Sequence, residues 1–244
     1  MPDRYLPGVP CWIELLVPEP ERAVAFYAGV FGWAVEDGVA RLDGRAVAGI
    51  RQGYGARWTT AIRVDDATAV TARALAAGAH EVPGGLADPA GALFALRESS
   101  GAELVNASGS WNWSNLETGD VAGAEAFYGA VFGWEPLKLG EGVRLFRVPG
   151  YGDRLAELDP ALRERHAQPG IPPGFSDAVA WLVPGETARW TVTFAADDVD
   201  GASAACAELG GEVVVAPYDA QGARVATLRD VAGAEFSVSH WAGA

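Results

Sequence analysis

Ala126-Phe127-Tyr128-Gly129-Ala130-Val131-Phe132-Gly133-Trp134 decides how this chain is read, because it has already occurred as Ala25-Phe26-Tyr27-Ala28-Gly29-Val30-Phe31-Gly32-Trp33. Seven of the nine positions are identical at an offset of 101. Agreement of that kind at a fixed period marks an internal duplication. Val24, Tyr27, Val30 and Phe31 recur at helical spacing, and Gly32 stands where a left-handed residue ends a helix. The second copy repeats this with Phe127, Tyr128, Val131 and Phe132 before Gly133.

Working outward, Cys11–Val17 is apolar, aromatic and β-branched enough for a strand, and Pro18-Glu19-Pro20-Glu21 opens the helix after it. Two short strands are expected over 35–52 around Leu42-Asp43-Gly44-Arg45, then a strand Trp58–Val64. Asp66 caps a helix running to Gly78 with Val70, Ala74 and Leu75 inward, and Ala92–Arg97 is the last strand. The serine- and glycine-rich stretch 99–108 reads as a linker. The pattern restarts with a strand Trp111–Thr118, a helix capped by Asp120, a strand Thr191–Ala195 and a helix capped by Asp198. Strands near 212–216, 223–228 and 235–240 close the half. Asp230-x-Ala232-Gly233-Ala234 repeats Asp88-x-Ala90-Gly91-Ala92.

The halves differ twice. Gly78 to Asp88 is 10 residues and Gly210 to Asp230 is 20, so the first half lacks most of a hairpin that the second keeps. Matching Ile50 to Leu158 gives the second half an insertion over about 159–186, with five prolines and Arg163-Glu164-Arg165-His166. A loop of that length is expected to be a lid or a mobile segment.

The 244 residues suffice for two modules, and a chain half apolar and 20% charged builds a packed core. No apolar run reaches the roughly 18 residues of a membrane span, and the first residues carry no signal-peptide pattern. Cys11 and Cys206 form no metal or disulfide framework. A cytoplasmic protein without membrane or nucleic-acid partners is expected. The net charge of −14 repels phosphate polymers and favours cationic small molecules.

The duplicated pattern resembles the vicinal oxygen chelate superfamily of glyoxalase I, extradiol dioxygenases and bleomycin-resistance proteins. The resemblance rests on the strand before Pro18-Glu19 or Gly119-Asp120, the Ala-Phe-Tyr helix closing on Phe-Gly-Trp, the Val64-Asp65-Asp66 turn, and Asp-x-x-Gly before the last strand. It covers about 8–98 and 109–241 and looks closest to a two-module actinobacterial branch labelled "hydroxylase". The resemblance implies an α+β fold of two tandem βαβββ modules, each a curved, mostly antiparallel sheet around a cleft. Enzymes of the superfamily hold a divalent metal with His and Glu on fixed strand positions. Those positions carry over to Trp12, Thr59 and Ala95, and to Trp113, Thr191 and Ser237. None is a metal ligand, so neither metal nor another cofactor is expected.

Strand alternation puts Trp12, Glu14 and Leu16 on one face, and Trp111, Trp113, Asn115 and Glu117 on the corresponding one. Trp58 and Trp190 stand beside Thr59 and Thr191. These indoles either stack on a flat ligand or fill the core, whereas Trp33 and Trp134 at the helix ends are core residues. The expected site is therefore Trp12, Glu14, Trp58, Thr59, Trp111, Trp113, Asn115, Glu117, Trp190, Thr191 and Ser237, with Glu14 the candidate base or orienting carboxylate. His80, His166 and His240 are not at ligand spacing and read as surface residues. The expected function is metal-independent binding of a planar aromatic metabolite or antibiotic by a monomer or homodimer. A cofactor-free lyase, isomerase or hydroxylase-like enzyme using Glu14 is the alternative.

Overall fold

A computed structural model describes residues 4–139, 144–167, 171–220 and 222–241. Each half of the sequence holds two βαβββ units, where the sequence pattern registers one unit with an extra helix. The first half runs β1 (Pro10–Val17), α1 (Pro20–Phe31), β2 (Ala34–Glu36), β3 (Val39–Leu42), β4 (Arg45–Gln52), then β5 (Arg57–Arg63), α2 (Ala67–Ala76), β6 (His80–Val82), β7 (Gly85–Ala87), β8 (Leu93–Arg97). The second runs β9 (Trp111–Thr118), α3 (Val121–Phe132), β10 (Glu135–Lys138), β11 (Arg144–Arg147), then helices α4 (Tyr151–Leu158) and α5 (Leu162–His166) before β12 (Ala178–Pro184). It closes with β13 (Arg189–Ala195), α6 (Val199–Glu208), β14 (Glu212–Ala220), β15 (Ala223–Arg229) and β16 (Glu235–Trp241).

The strands form two open eight-stranded sheets, ordered β2-β3-β4-β1-β5-β8-β7-β6 and β10-β11-β12-β9-β13-β16-β15-β14. The pairs β1–β4, β9–β12 and β13–β16 are parallel. The hairpins β2–β3, β10–β11 and β14–β15 are antiparallel.

Local chemistry explains the helices. Asp66, Asp120 and Asp198 accept from the backbone N–H three residues on, closing the open first turns of α2, α3 and α6. Pro20 starts α1 with a pre-set φ. Gly32 and Gly133 end α1 and α3 at φ of 73° and 72°, where a side chain would be strained.

The structure corrects three expectations. The buried stripe of α1 is Ala23, Phe26 and Tyr27, with Val24, Val30 and Phe31 only partly covered. Leu75, expected inward, is 41% exposed. The segment 159–186 is not one loop. It contains α5, a 3-10 turn at Phe175–Asp177 and all of β12, while 168–170 lie outside the described residues. Register shows why: Leu15 pairs with Ile50, and its duplicate Leu116 pairs with Leu182. The counterpart of Ile50 is therefore Leu182 rather than Leu158, and the inserted chain lies between β11 and β12.

The compact units do not follow the sequence halves 8–98 and 109–241. One unit gathers the chain up to Cys11, Ala61–Gly101 and Ser114–Trp190; the other gathers Trp12–Thr60, Ala102–Trp113 and the chain from Thr191 on. Each therefore draws one βαβββ from either half.

Each unit is centred on one copy of the duplicated motif. In the second, Tyr27 stacks on Trp33 at 5.2 Å between ring centroids and meets Phe236 at 5.6 Å. Its hydroxyl donates to Asp230 Oδ2 at 3.1 Å and accepts from Trp58 Nε1 at 3.1 Å. Asp230 Oδ1 accepts from the N–H groups of Ala232 and Ala234, both at 2.9 Å. In the first unit, Tyr128 stacks on Trp134 at 5.0 Å, accepts from Trp190 Nε1 at 2.9 Å and donates to Asp88 Oδ2 at 3.1 Å. The Asp-x-x-Gly turns are thus acceptors for a tyrosine from the opposite half of the sequence. Burial, and then the neighbouring carboxylates, push both phenols well above their ordinary range. Burial likewise raises Asp88, against the backbone hydrogen bonds that favour its charged form.

Candidate functional site

On β1, the side chains Trp12, Glu14 and Leu16 alternate with the fully covered Ile13, Leu15 and Val17. Trp12 is 4% exposed, whereas Glu14 keeps partial solvent contact. Glu14 is in register with Gly49 on β4. A Cβ at Gly49 would lie 2.8 Å from Glu14 Oε1 and 3.2 Å from Trp12 Nε1, so only glycine leaves room for both side chains to lie across β4. Arg51 Nε donates to Glu14 Oε1 at 2.6 Å. With that oxygen held by a guanidinium, Glu14 is better placed to orient a ligand than to abstract a proton.

On β9 alternation separates the partly exposed Trp113, Asn115 and Glu117 from the buried Ser114, Leu116 and Thr118; it breaks before Trp113, where Asn112 is also partly exposed and Trp111 is buried, so Trp111 does not join that face as expected. Leu116 pairs with Leu182, and Ala180 on that face of β12 pairs with Phe146, which meets Tyr128 of α3. Ser114, Leu116 and Thr118 therefore lie beneath the helix, and Asn115 and Glu117 lie on the opposite, partly exposed face. Glu117 Oε2 accepts from Arg189 Nε at 2.7 Å, so it too is paired. Trp111 is buried, and its Nε1 has no hydrogen-bond partner among the described residues. Trp113 is half-buried.

Trp58 and Trp190 are not ligand-facing. Both are buried, and both spend their indole N–H on the core tyrosines. Neighbours on a strand face opposite ways, so Thr59 and Thr191 point away from those cores. Thr59 Oγ1 is buried without a partner among the described residues. Thr193 is in register with Ser237, which places Thr191 and Ser237 on a common face with Ser239, whose hydroxyl meets Asn112 Nδ2 at 3.3 Å. Trp33 and Trp134 are core residues, as expected, donating to Gly109 O at 2.7 Å and Gly8 O at 2.6 Å.

The sequence reading misses Trp181, Gly49 and the arginines at 51 and 189. Trp181 was hidden by assigning β12 to a loop, although Ala178-Val-Ala-Trp-Leu-Val is a β-branched apolar run of strand length. It lies in register with Asn115, half-buried.

The positions carried over from the metal-holding enzymes present two indoles, three hydroxyls or methyl-bearing hydroxyls and one methyl group. That set does not fit a divalent ion, which takes carboxylate, imidazole or thiolate donors. Among the described residues no three His, Cys, Asp or Glu side chains converge as a metal-holding group. His80 and His240 are exposed, and His166 Nδ1 meets Ser176 Oγ at 2.8 Å. Burial pushes the Cys206 thiol up to about 11, the wrong direction for a nucleophile. Two cavities, of about 270 and 150 Å³, are lined by Val30, Phe31 and the start of α6, and by Ala67, Glu81 and Leu96. Neither is bounded by an expected site residue. No described helix is long and apolar enough to cross a membrane.

A family model described as a glyoxalase-like domain matches residues 113–239. "Putative glyoxylase CFP32" of Mycobacterium bovis is 32% identical over 98% of this chain and 97% of its own. "Anthracycline biosynthesis protein DnrV" of Streptomyces peucetius is 29% identical over 96% of this chain and 94% of its own. Among solved structures, the Mn(II)-bound glyoxalase from Novosphingobium aromaticivorans superposes with a TM-score of 0.58 at 15% identity, over 95% of this chain and 81% of that one. An extradiol ring-cleaving dioxygenase from B. fuscum superposes with a TM-score of 0.60 at 14% identity, over 100% of this chain and 75% of that one. At such identities these two likenesses show the fold alone. The family-model match and the nearly full-length 32% identity together establish that this chain belongs to the glyoxalase-like domain family.

Proposed function

We propose that this chain is a metal-independent small-molecule-binding protein that holds a planar aromatic metabolite or antibiotic, in the cytoplasm, for sequestration or for hand-over within a pathway. The observation that carries the reading is the donor set: indoles, hydroxyls and a methyl group stand where the superfamily's enzymes place metal ligands. The partly exposed indole of Trp113 offers stacking surface, and neighbouring amide and carboxylate groups fix orientation. The Streptomyces relative named for anthracycline biosynthesis supports a ligand from an antibiotic pathway. The net charge of −14 favours a cationic ligand at long range, although Glu14 and Glu117 are each paired with an arginine.

The test is incubation with hydroxyanthraquinones and anthracyclines, following tryptophan quenching beside product formation by mass spectrometry. Quenching without turnover is expected. Loss of Trp12 or Trp113 to alanine should weaken binding by about 1–3 kcal/mol in variants that stay folded. Stoichiometric zinc, iron or manganese retained after mild chelation refutes the metal-independent reading. Turnover lost in Glu14→Gln replaces it with the second one, a cofactor-free lyase, isomerase or hydroxylase-like enzyme using Glu14.

A further inference from the structure

The helices α1 and α3 are copies of one another, and their C-terminal ends meet different partners. In the first unit, Arg73 of α2 donates from Nε to Val131 O at 2.8 Å, in the last turn of α3. Arg63 Nη2 lies 3.2 Å from Asp65 Oδ1. These arginines stand three residues before and seven after the capping Asp66. The matching places around the capping Asp198 are Ala195 and Ala205. Asp197 keeps the place of Asp65, and Val30 keeps that of Val131. The second unit thus retains both acceptors and lacks both guanidinium groups. Among the described residues no donor reaches Val30 O, and nothing pairs with the Asp197 carboxylate. The cavity of about 270 Å³ opens at this place, with Val30, Phe31, Asp197, Ala202 and Ala205 in its lining. The surrounding backbone is alike in the two copies. A Cβ at Gly8 would lie 3.0 Å from Phe132 O, and one at Gly109 would lie 3.1 Å from Phe31 O.

We propose that this cavity is a binding site for an alkylguanidinium group, which a ligand brings where the first unit supplies its own Arg73. The carbonyl end of a helix carries partial negative charge and attracts cations. A guanidinium holds several N–H donors in one plane, so it serves Val30 O and the Asp197 carboxylate together. Val30, Phe31, Ala202 and Ala205 give the alkyl stem apolar walls. Asp198 is committed to the cap of α6. The volume lies below the roughly 300–1,000 Å³ of pockets for drug-sized ligands, so the site takes a group of side-chain size and excludes a fused aromatic. It is separate from the proposed aromatic-binding face, none of whose residues bounds it.

Propylguanidinium and its neutral isostere propylurea, titrated against the isotope-labelled full chain and followed by amide chemical shifts, test this. Propylguanidinium should saturate with a Kd of about 1–10 mM, moving the amides of Gly109 and of 197–202, since an exposed ion pair and a few hydrogen bonds hold it. Propylurea should leave them in place. Ala205→Arg restores the chain's own cation and should weaken binding by about tenfold or more. Asp197→Asn keeps the volume and removes the charge, and should weaken it by about two- to fivefold. If Ala205→Arg does not fold, Asp197→Asn decides. N-acetylarginine amide binding more tightly than propylguanidinium assigns the group to an arginine of another protein, and weaker binding assigns it to a free small cation. Equal shifts with propylurea, no saturation up to about 50 mM, or binding left unchanged by either substitution overturns the site.

Discussion

Replacing Asp230 by alanine tests whether a buried acceptor, supplied by one half of the sequence to the other, holds the second unit together. The carboxylate takes three hydrogen bonds, from Tyr27 Oη at 3.1 Å and from the Ala232 and Ala234 N–H groups at 2.9 Å each. Water can reach the partly buried Ala232 N–H, whereas the phenol of Tyr27 and the Ala234 N–H lie in buried bonds. A buried donor left unsatisfied costs about 1–3 kcal/mol, and removing a buried charge returns part of its desolvation cost. The net loss expected for Asp230→Ala is about 3 kcal/mol, or roughly 6–12 °C in Tm for a chain of this size. Tyr27→Phe strands the Trp58 N–H and takes one of three donors from Asp230, for a loss of about 1–2 kcal/mol. Because the two groups share one bond, the double variant should lose less than the sum, with a coupling of about 1–2 kcal/mol. Urea unfolding followed by tryptophan fluorescence and far-UV dichroism measures all four corners of the cycle. An Asp230→Ala loss under about 0.5 kcal/mol, or strict additivity, refutes the network as a source of stability.

Burial raises Asp88 above its ordinary range, so the folded state holds its proton to higher pH than the unfolded state does. Its contribution to stability is then fully present below the unfolded value and is lost as pH rises through the folded one. The stability of wild type relative to Asp88→Asn should therefore fall as pH rises from below the ordinary carboxylate range, by urea unfolding across a pH series; a flat or rising difference contradicts it. Gly49→Ala places a methyl 2.8 Å from Glu14 Oε1 and should destabilise by about 1–3 kcal/mol while loosening the Glu14–Arg51 pair; an unchanged urea midpoint refutes the crowding. Trypsin should cut first after Arg163 or Arg165 in the inserted chain, whose guanidinium side chains are 69% and 53% exposed. Mass analysis of early fragments checks this, and first cleavage within β12 or β13 counts against it.

Sequence alone carried the duplication, the helix caps and the strand faces, because each depends on residues within a few positions of one another. Asp66, Asp120 and Asp198 cap helices within their own first turn, and alternation along β1, and along β9 from Trp113 on, fixes which side chains share a face whatever lies beyond. The family resemblance was legible for the same reason. The partner of Tyr27 was not legible, since Asp230 lies 203 residues away and the repeat offers Asp88 as an equally good candidate. Nor was the role of Trp58, which standing beside Thr59 in sequence turned into a site residue, while the fold sends it to the opposite face and into the core. Trp181 was lost to a misplaced insertion, and only pairing with Asn115 across β12 and β9 identified its strand as the counterpart of β4. Cross-strand register, and which half supplies which acceptor, are properties of chain segments brought together by burial. No local pattern encodes them, and the tertiary structure alone decided them.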